Sequence, residues 1–177
     1  MVDEELILRW FAMRDSLKDY KPHLKRFLNE YMDANKARGE KWLEEREDHF
    51  TTTMELILST LGSRAFRLMD EDGGPLRDAE GKKLPTSVNR ALFDAQAIAF
   101  SWVQIENGKT KTPAKKVVAE VAKALQDPKL QDAVRRATGD RARIRLRVRR
   151  MVGVLRAAGL KVNVPKSVKL DDAVSSA

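Results

Sequence analysis

Cysteine is absent from this chain of 177 residues, and histidine occurs only twice. The missing thiols exclude disulfide bonds, thiolate metal sites and cysteine nucleophiles. His23 and His49 fall on different predicted helices, and neither has a partner at the spacing of metal ligands. We therefore predict that both histidines are surface residues, and we expect no metal site and no cofactor.

The short motifs that mark many enzymes are also missing. The chain contains no GxSxG, no HExxH and no pairing of a nucleophile with a histidine base. The glycine pair at residues 73 and 74 is not followed by the Gly-Lys-Ser/Thr sequence of a phosphate loop. The acidic residues 70–72 lack the closing glutamate of a calcium loop. We predict no catalytic residue, and we expect that the chain is not an enzyme on its own.

Long hydrophobic runs are lacking as well. The most apolar stretch, residues 91–105, is too short for a convincing membrane span. The first residues, MVDEELILRW, are acidic where a secretory signal would be basic. We therefore expect a cytoplasmic protein that has no membrane partner.

The apolar stretch at residues 91–105 predicts the centre of the fold. Asp94 is its only charged residue, and its apolar side chains cover nearly the whole circumference of a helix. Such a pattern is typical of a helix that is buried among other helices. Pro85 precedes the stretch, and Thr86 or Ser87 is predicted to cap its start.

Helical periodicity continues through most of the chain, and strand signals are few. Pro22 is predicted to open a second helix, and Asp127 followed by Pro128 a sixth. The predicted fold class is all-α, an irregular bundle of about six to seven helices around the buried central helix. We expect one helical domain over residues 1–159, with basic helices from about residue 114, and a flexible tail over residues 160–177.

Charge is divided unevenly along the chain. Residues 1–100 hold 16 Lys/Arg and 19 Asp/Glu, whereas residues 101–177 hold 18 Lys/Arg and 7 Asp/Glu. Such asymmetry favours a surface in the second part that binds a polyanion. The alternative is a basic face that is merely solvated.

Eight arginines fall within residues 135–150, around the sequence RARIRLRVRR. A strand pattern stops at the paired arginines, but a helical apolar face continues from Ile144 through Val148 to Leu155, so a helix is favoured. Leu146 is then expected on the outer face.

We interpret these arginines as ligands for nucleic-acid phosphates, without base readout. The alternative is that they pair with acidic residues of the third helix or of residues 70–72. The predicted nucleic-acid-binding residues are Arg135, Arg136, Arg143, Arg145, Arg147, Arg149 and Arg150.

Several stretches occur in the order seen in a known family. They are EELILRWFAMRDSLKDYKPHLKRFLNEYM at residues 4–32, AFR at 65–67, NRALFDA at 89–95 and the later TGDRARIRLRVRR. Together they resemble the helical C-terminal part of the GmrSD-type domain of unknown function. That domain has ParB-like nuclease and NTPase relatives in restriction and phage-defence proteins.

The resemblance covers roughly residues 4–150. It implies a role in DNA-linked defence, with a nuclease/NTPase domain or subunit of the same system as partner. The Asp-Gly-Gln-Gln-Arg motif of the family's active half does not occur in this chain, so no catalytic residue is carried over. We expect a non-catalytic helical domain that binds DNA without sequence preference and docks to that partner. The alternative is a helical protein-interaction or oligomerisation module that binds no nucleic acid.

Overall fold

The computed structural model describes residues 2–84, 87–106, 110, 112–136, 138–168 and 170. Over these residues the protein is all-α, with seven α-helices, two short 3-10 helices and only isolated β-bridges. The predicted fold class is confirmed. The α-helices are α1 (Val2–Ser16), α2 (Leu24–Asn35), α3 (Glu40–Leu61), α4 (Arg90–Phe100), α5 (Ala114–Ala124), α6 (Pro128–Arg135) and α7 (Arg141–Ala157).

Helix α4 lies at the centre of the bundle and packs against α1, α3, α6 and α7. Every residue from Ala91 to Phe100 is buried, and Leu92 and Ile98 are fully enclosed. Burying a large apolar side chain stabilises a fold by about 1.5–3 kcal/mol, so this helix contributes strongly to the core. The prediction of a buried central helix is confirmed.

The start of α4 differs from the prediction. Asn89 is the N-cap, because its side-chain oxygen accepts a hydrogen bond of 2.9 Å from the backbone N–H of Leu92. The side-chain amide of Asn89 also donates to the carbonyl of Val134, at 3.1 Å, which ties α4 to α6. Ser87 is exposed and makes no cap, and Thr86 lies outside the described residues.

The predicted starts of two other helices can be compared with the structure. Asp127 caps α6 with Pro128 at the first turn, as predicted. Pro22 does not open α2, however. That helix begins at Leu24, after His23 adopts the left-handed region with φ of 80°.

The arginine-rich stretch forms the helix that its periodicity predicts. Ile144, Val148 and Leu155 are at most 1% exposed, and α7 packs on α4, α5 and α6. Leu146 is half-buried, although it was expected on the outer face.

The segment that follows α7 packs on the bundle. Leu160 and Val162 are each 6% exposed, and Val162 forms an antiparallel bridge with Val103. Alternate apolar residues of the segment 160–168 therefore reach the core. This packing was not expected, because the sequence predicted a flexible tail from residue 160. Residues 171–177 lie outside the described residues.

No helix in the part of the chain that the structure describes is long and apolar enough to cross a membrane.

Candidate nucleic-acid interface

The seven arginines predicted to bind phosphates do not share one surface. Arg147 is fully buried and Arg145 is 6% exposed. A phosphate group cannot reach Arg147, and little of Arg145 is accessible. Their prediction as ligands fails because α7 contacts three other helices, so its buried arc is wider than its apolar residues indicate.

Arg147 belongs to a buried network that joins α7, α1 and α4. The Arg9 guanidinium donates to both carboxylate oxygens of Asp94, and the Nε bond measures 3.0 Å. A terminal nitrogen of Arg147 lies 3.7 Å from Oδ2 of the same carboxylate. Arg147 also donates to the carbonyls of Ala133, at 3.0 Å, and Thr138, at 2.9 Å. The network therefore holds four helices, α1, α4, α6 and α7, and the α6–α7 connection together.

Burial governs the ionisation of this network. Desolvation raises the pKa of Asp94, and hydrogen bonds and charge from Arg9, with the charge of Arg147, oppose that rise. Desolvation also lowers the pKa of Arg147 to about 10. Two guanidinium groups share the Asp94 carboxylate, and the partly exposed Glu5 lies 3.6 Å from Arg9, so Asp94 is the buried counter-charge of the network. The one signal in the sequence is that Asp94 is the only charge of an apolar stretch.

Three more of the predicted arginines pair with carboxylates. Arg143 contacts Asp132, and Nε of Arg136 lies 3.8 Å from the same side chain. Arg150 lies 3.1 Å from Asp127. These partners belong to α6 and its N-cap, not to α3 or residues 70–72 as the alternative interpretation held. Exposed pairs of this kind contribute about 0–1 kcal/mol, so they do not fix an arginine in place.

Arg135 and Arg149 are the remaining two predicted ligands. Arg135 is exposed at the end of α6, and Arg149 is half-exposed on α7. Neither forms an ion pair within the described residues. Arg149 lines a groove beside α5, whereas Arg135 lies at the connection between α6 and α7. The predicted ligands are therefore divided between two regions.

The connection between α6 and α7 packs against the 3-10 helix Leu17–Asp19 and the residue after it. The Tyr20 hydroxyl donates to the carbonyl of Gly139 at 2.6 Å. Arg141 donates to the carbonyl of Lys18 at 3.4 Å. Cations of the segment between α1 and α2 and of the α6–α7 region therefore lie around this connection, and we call them the basic corner. Its exposed members are Lys18, Lys21, Arg135, Arg136 and Arg141.

A pocket of about 470 Å³ opens at the basic corner. Lys18, Lys21 and Arg141 line it, together with an ion pair of Arg26 and Glu30 at 2.7 Å. Asp19 is a second carboxylate in the lining, so the lysines and arginines outnumber the acids. The sequence alone did not indicate this region, because Arg141 and Lys18 are 123 positions apart.

His49 is half-buried, which differs from the predicted surface position. Its Nδ1 lies 2.6 Å from a terminal nitrogen of Arg14, and its Nε2 lies 3.1 Å from the carbonyl of Ser101. Burial, then the charge of Arg14, lower the pKa of His49. The neutral ring therefore accepts from Arg14 and donates to Ser101, which is a structural role. Among the described residues, no group of three or more His, Asp or Glu side chains is placed to hold a metal ion.

No family model, curated protein or solved structure matches this chain. Membership of the GmrSD-type family stays a prediction from the sequence.

The stretches that carry the resemblance meet in the core. The Phe66 N–H donates to the side-chain oxygen of Gln96 at 2.7 Å, and the Asn89 N–H donates to the Phe66 carbonyl at 2.8 Å. Arg9, in the first stretch, binds Asp94 in the third. These contacts hold the first three stretches together within the core.

Proposed function

We propose that this chain is a non-catalytic helical module that binds nucleic acid through phosphate contacts at the basic corner. The observation that carries the proposal is that five exposed cations, two between α1 and α2 and three on either side of the α6–α7 connection, belong to regions that contact each other. Phosphate contacts require exposed cations, and they carry no direct information about base sequence. Phe27 lines the adjacent pocket but is only 7% exposed, so it offers no open ring face for base stacking.

The size of the cation set determines the expected salt dependence. If each of the five side chains displaces one counterion from duplex DNA, the log–log slope of affinity against salt is about −4.5. Binding should therefore weaken steeply between low and physiological salt. The affinity should also be independent of the DNA sequence, because these cations are proposed to contact phosphates and not the edges of bases.

The decisive experiment measures the affinity of the whole chain for a labelled random-sequence duplex by fluorescence anisotropy at several salt concentrations. Replacing Arg135, Arg136 and Arg141 together with glutamine should reduce the magnitude of the slope by about 2.7. The matched control replaces Lys36, Arg38 and Lys41, three exposed cations at the turn between α2 and α3. An unchanged slope in the first variant, or an equal reduction in the control, would show that the basic corner is not the phosphate site.

Docking to a nuclease/NTPase domain or subunit is the second part of the proposal, and its support is the sequence resemblance alone. In such an assembly this module would hold DNA for the active partner. Co-purification with a candidate partner in a fixed stoichiometry, before and after nuclease treatment, tests it. A complex that dissociates on nuclease treatment would contradict direct docking.

A protein-interaction module without nucleic-acid binding is the second candidate function. Two exposed leucines of α3 favour it, because Leu43 is 56% and Leu58 is 66% exposed. Both lie on a helix whose outer face is acidic, with Glu44 and Glu47 exposed. A chain that binds no duplex at low salt, but forms a stoichiometric protein complex, would favour this candidate.

A further inference from the structure

Gly153 lies inside α7, where glycine weakens a helix relative to alanine. Its backbone is helical, so no left-handed conformation requires glycine, in contrast to Gly62 and Gly159. Apart from the neighbouring residues and the backbone of its own helical turns, a Cβ atom at position 153 would meet no described atom within 4 Å. The packing within the described chain therefore does not account for this glycine.

Gly153 lies in a groove of about 760 Å³ between α5 and α7, which we call the α5–α7 groove. The two helices run antiparallel. Arg150 contacts Asp127 at one end, at 3.1 Å, and a Cβ at Gly159 would lie 3.7 Å from the Lys116 amine towards the other end. None of the cations of the basic corner lines this groove. The lining residues Ala124, Leu130, Val154 and Ala157 are apolar.

The charges of the groove lie on both of its helices. Lys123 is on α5 and Arg149 is on α7, and neither makes an ion pair in the part of the chain that is described. Arg150 is already paired with Asp127, and Glu120 adds a negative charge. A nucleic-acid backbone is a poor match for a lining that combines four apolar residues with the carboxylates of Glu120 and Asp127. An amphipathic helix with apolar residues towards the lining and carboxylates on its flanks matches the groove better.

We propose that the α5–α7 groove binds an acidic amphipathic helix of a partner protein, packed over Gly153. Lys123 and Arg149 receive carboxylates on its two flanks. The absent side chain at Gly153 allows the partner's backbone to approach α7 closely, as small residues do where helices pack tightly. This surface is separate from the basic corner, and the inference goes beyond nucleic-acid binding.

A synthetic fluorescein-labelled helix serves as the probe. It has about 21 residues, with Ala and Leu on one face and Glu on both flanks, because much shorter isolated helices are marginal in water. Wild-type chain should bind it saturably, and amide shifts in NMR spectra should map to α5 and α7. Gly153→Gln should lower the affinity by about tenfold or more without loss of helix content. Ala142→Gln, at an exposed position of α7 outside the groove, is the matched control and should leave the affinity unchanged.

The charge requirement is tested with the same probe. A peptide in which every Glu is replaced by Gln should bind at least several-fold more weakly than the acidic one, and the difference should shrink in Lys123→Gln and Arg149→Gln variants. Equal binding of the two peptides, an unaffected Gly153→Gln variant, or no binding by wild type would overturn the proposal. If Gly153→Gln instead lowers the affinity for duplex DNA, the groove holds nucleic acid and the proposal is also overturned.

Discussion

Replacing Asp94 with asparagine removes the only carboxylate of the buried network. Arg9 then loses its two hydrogen-bond acceptors on Asp94 and keeps only the partly exposed Glu5, whose carboxylate lies 3.6 Å away. Arg147 loses the carboxylate that lies 3.7 Å away. Removing one partner of a buried ion pair typically costs about 3–5 kcal/mol, because the other charge stays buried without compensation. Two guanidinium groups are affected here, so we expect a loss of about 4 kcal/mol or more. Such a loss is a large part of the roughly 5–15 kcal/mol that stabilises an ordinary domain.

Urea unfolding followed by tryptophan fluorescence measures this loss. Trp10 is a suitable reporter, because its ring is buried and its Nε1 donates to the Ala97 carbonyl at 3.3 Å. With a slope of about 2 kcal/mol per molar urea, the unfolding midpoint of Asp94→Asn should fall by about 2 M. Without urea, the near-ultraviolet circular dichroism spectrum of Asp94→Asn should match that of the wild type, which would show that the variant still folds.

A matched control separates burial from charge pairing. Asp132 also contacts two arginines, Arg136 and Arg143, but its side chain is 43% exposed. Asp132→Asn should therefore cost less than about 1 kcal/mol. A loss in Asp94→Asn no larger than in this control would show that the buried network does not stabilise the fold.

Three further changes test single features of the structure. Gly153→Ala should raise the free energy of unfolding by about 1 kcal/mol, measured by urea unfolding. Asn89→Ala should lower the melting temperature, because loss of an N-cap costs about 1 kcal/mol and the carbonyl of Val134 loses a donor. The lowered pKa of His49 favours its neutral form in the folded state, so its contribution is complete above about pH 6.5 and is lost as the pH falls through the lowered pKa. His49→Gln should flatten the pH dependence of stability in that window, whereas His23→Asn, at an exposed position, should not.

Features that depend on local spacing were predictable from the sequence. The burial of α4 follows from apolar residues on all of its faces, and the α7 core face follows from Ile144, Val148 and Leu155. The cap at Asp127 followed by Pro128 is equally local. The predicted position of the α4 cap was wrong because several polar residues precede that helix. Only a contact with a distant residue, Val134, distinguishes Asn89 from the others.

Features that depend on distant partners were not predictable in the same way. Periodicity places Arg147 at the edge of the apolar face of α7, but its burial requires the carboxylate of Asp94 on another helix. The basic corner combines Lys18 with Arg141, and periodicity carries no information about that pairing. The positions of the charged side chains were therefore less predictable from the sequence than the fold.

The buried network also has an evolutionary consequence. A change of Asp94 alone would leave Arg147 buried without a counter-charge and Arg9 with only the partly exposed Glu5. A change of either arginine would remove a positive charge that stabilises the ionised Asp94 carboxylate. Relatives that keep this core should therefore retain all three residues or replace them together with apolar ones. The trio forms a fingerprint that spans the first, fourth and seventh helices. It can identify divergent relatives whose surfaces, and whose partners, have changed.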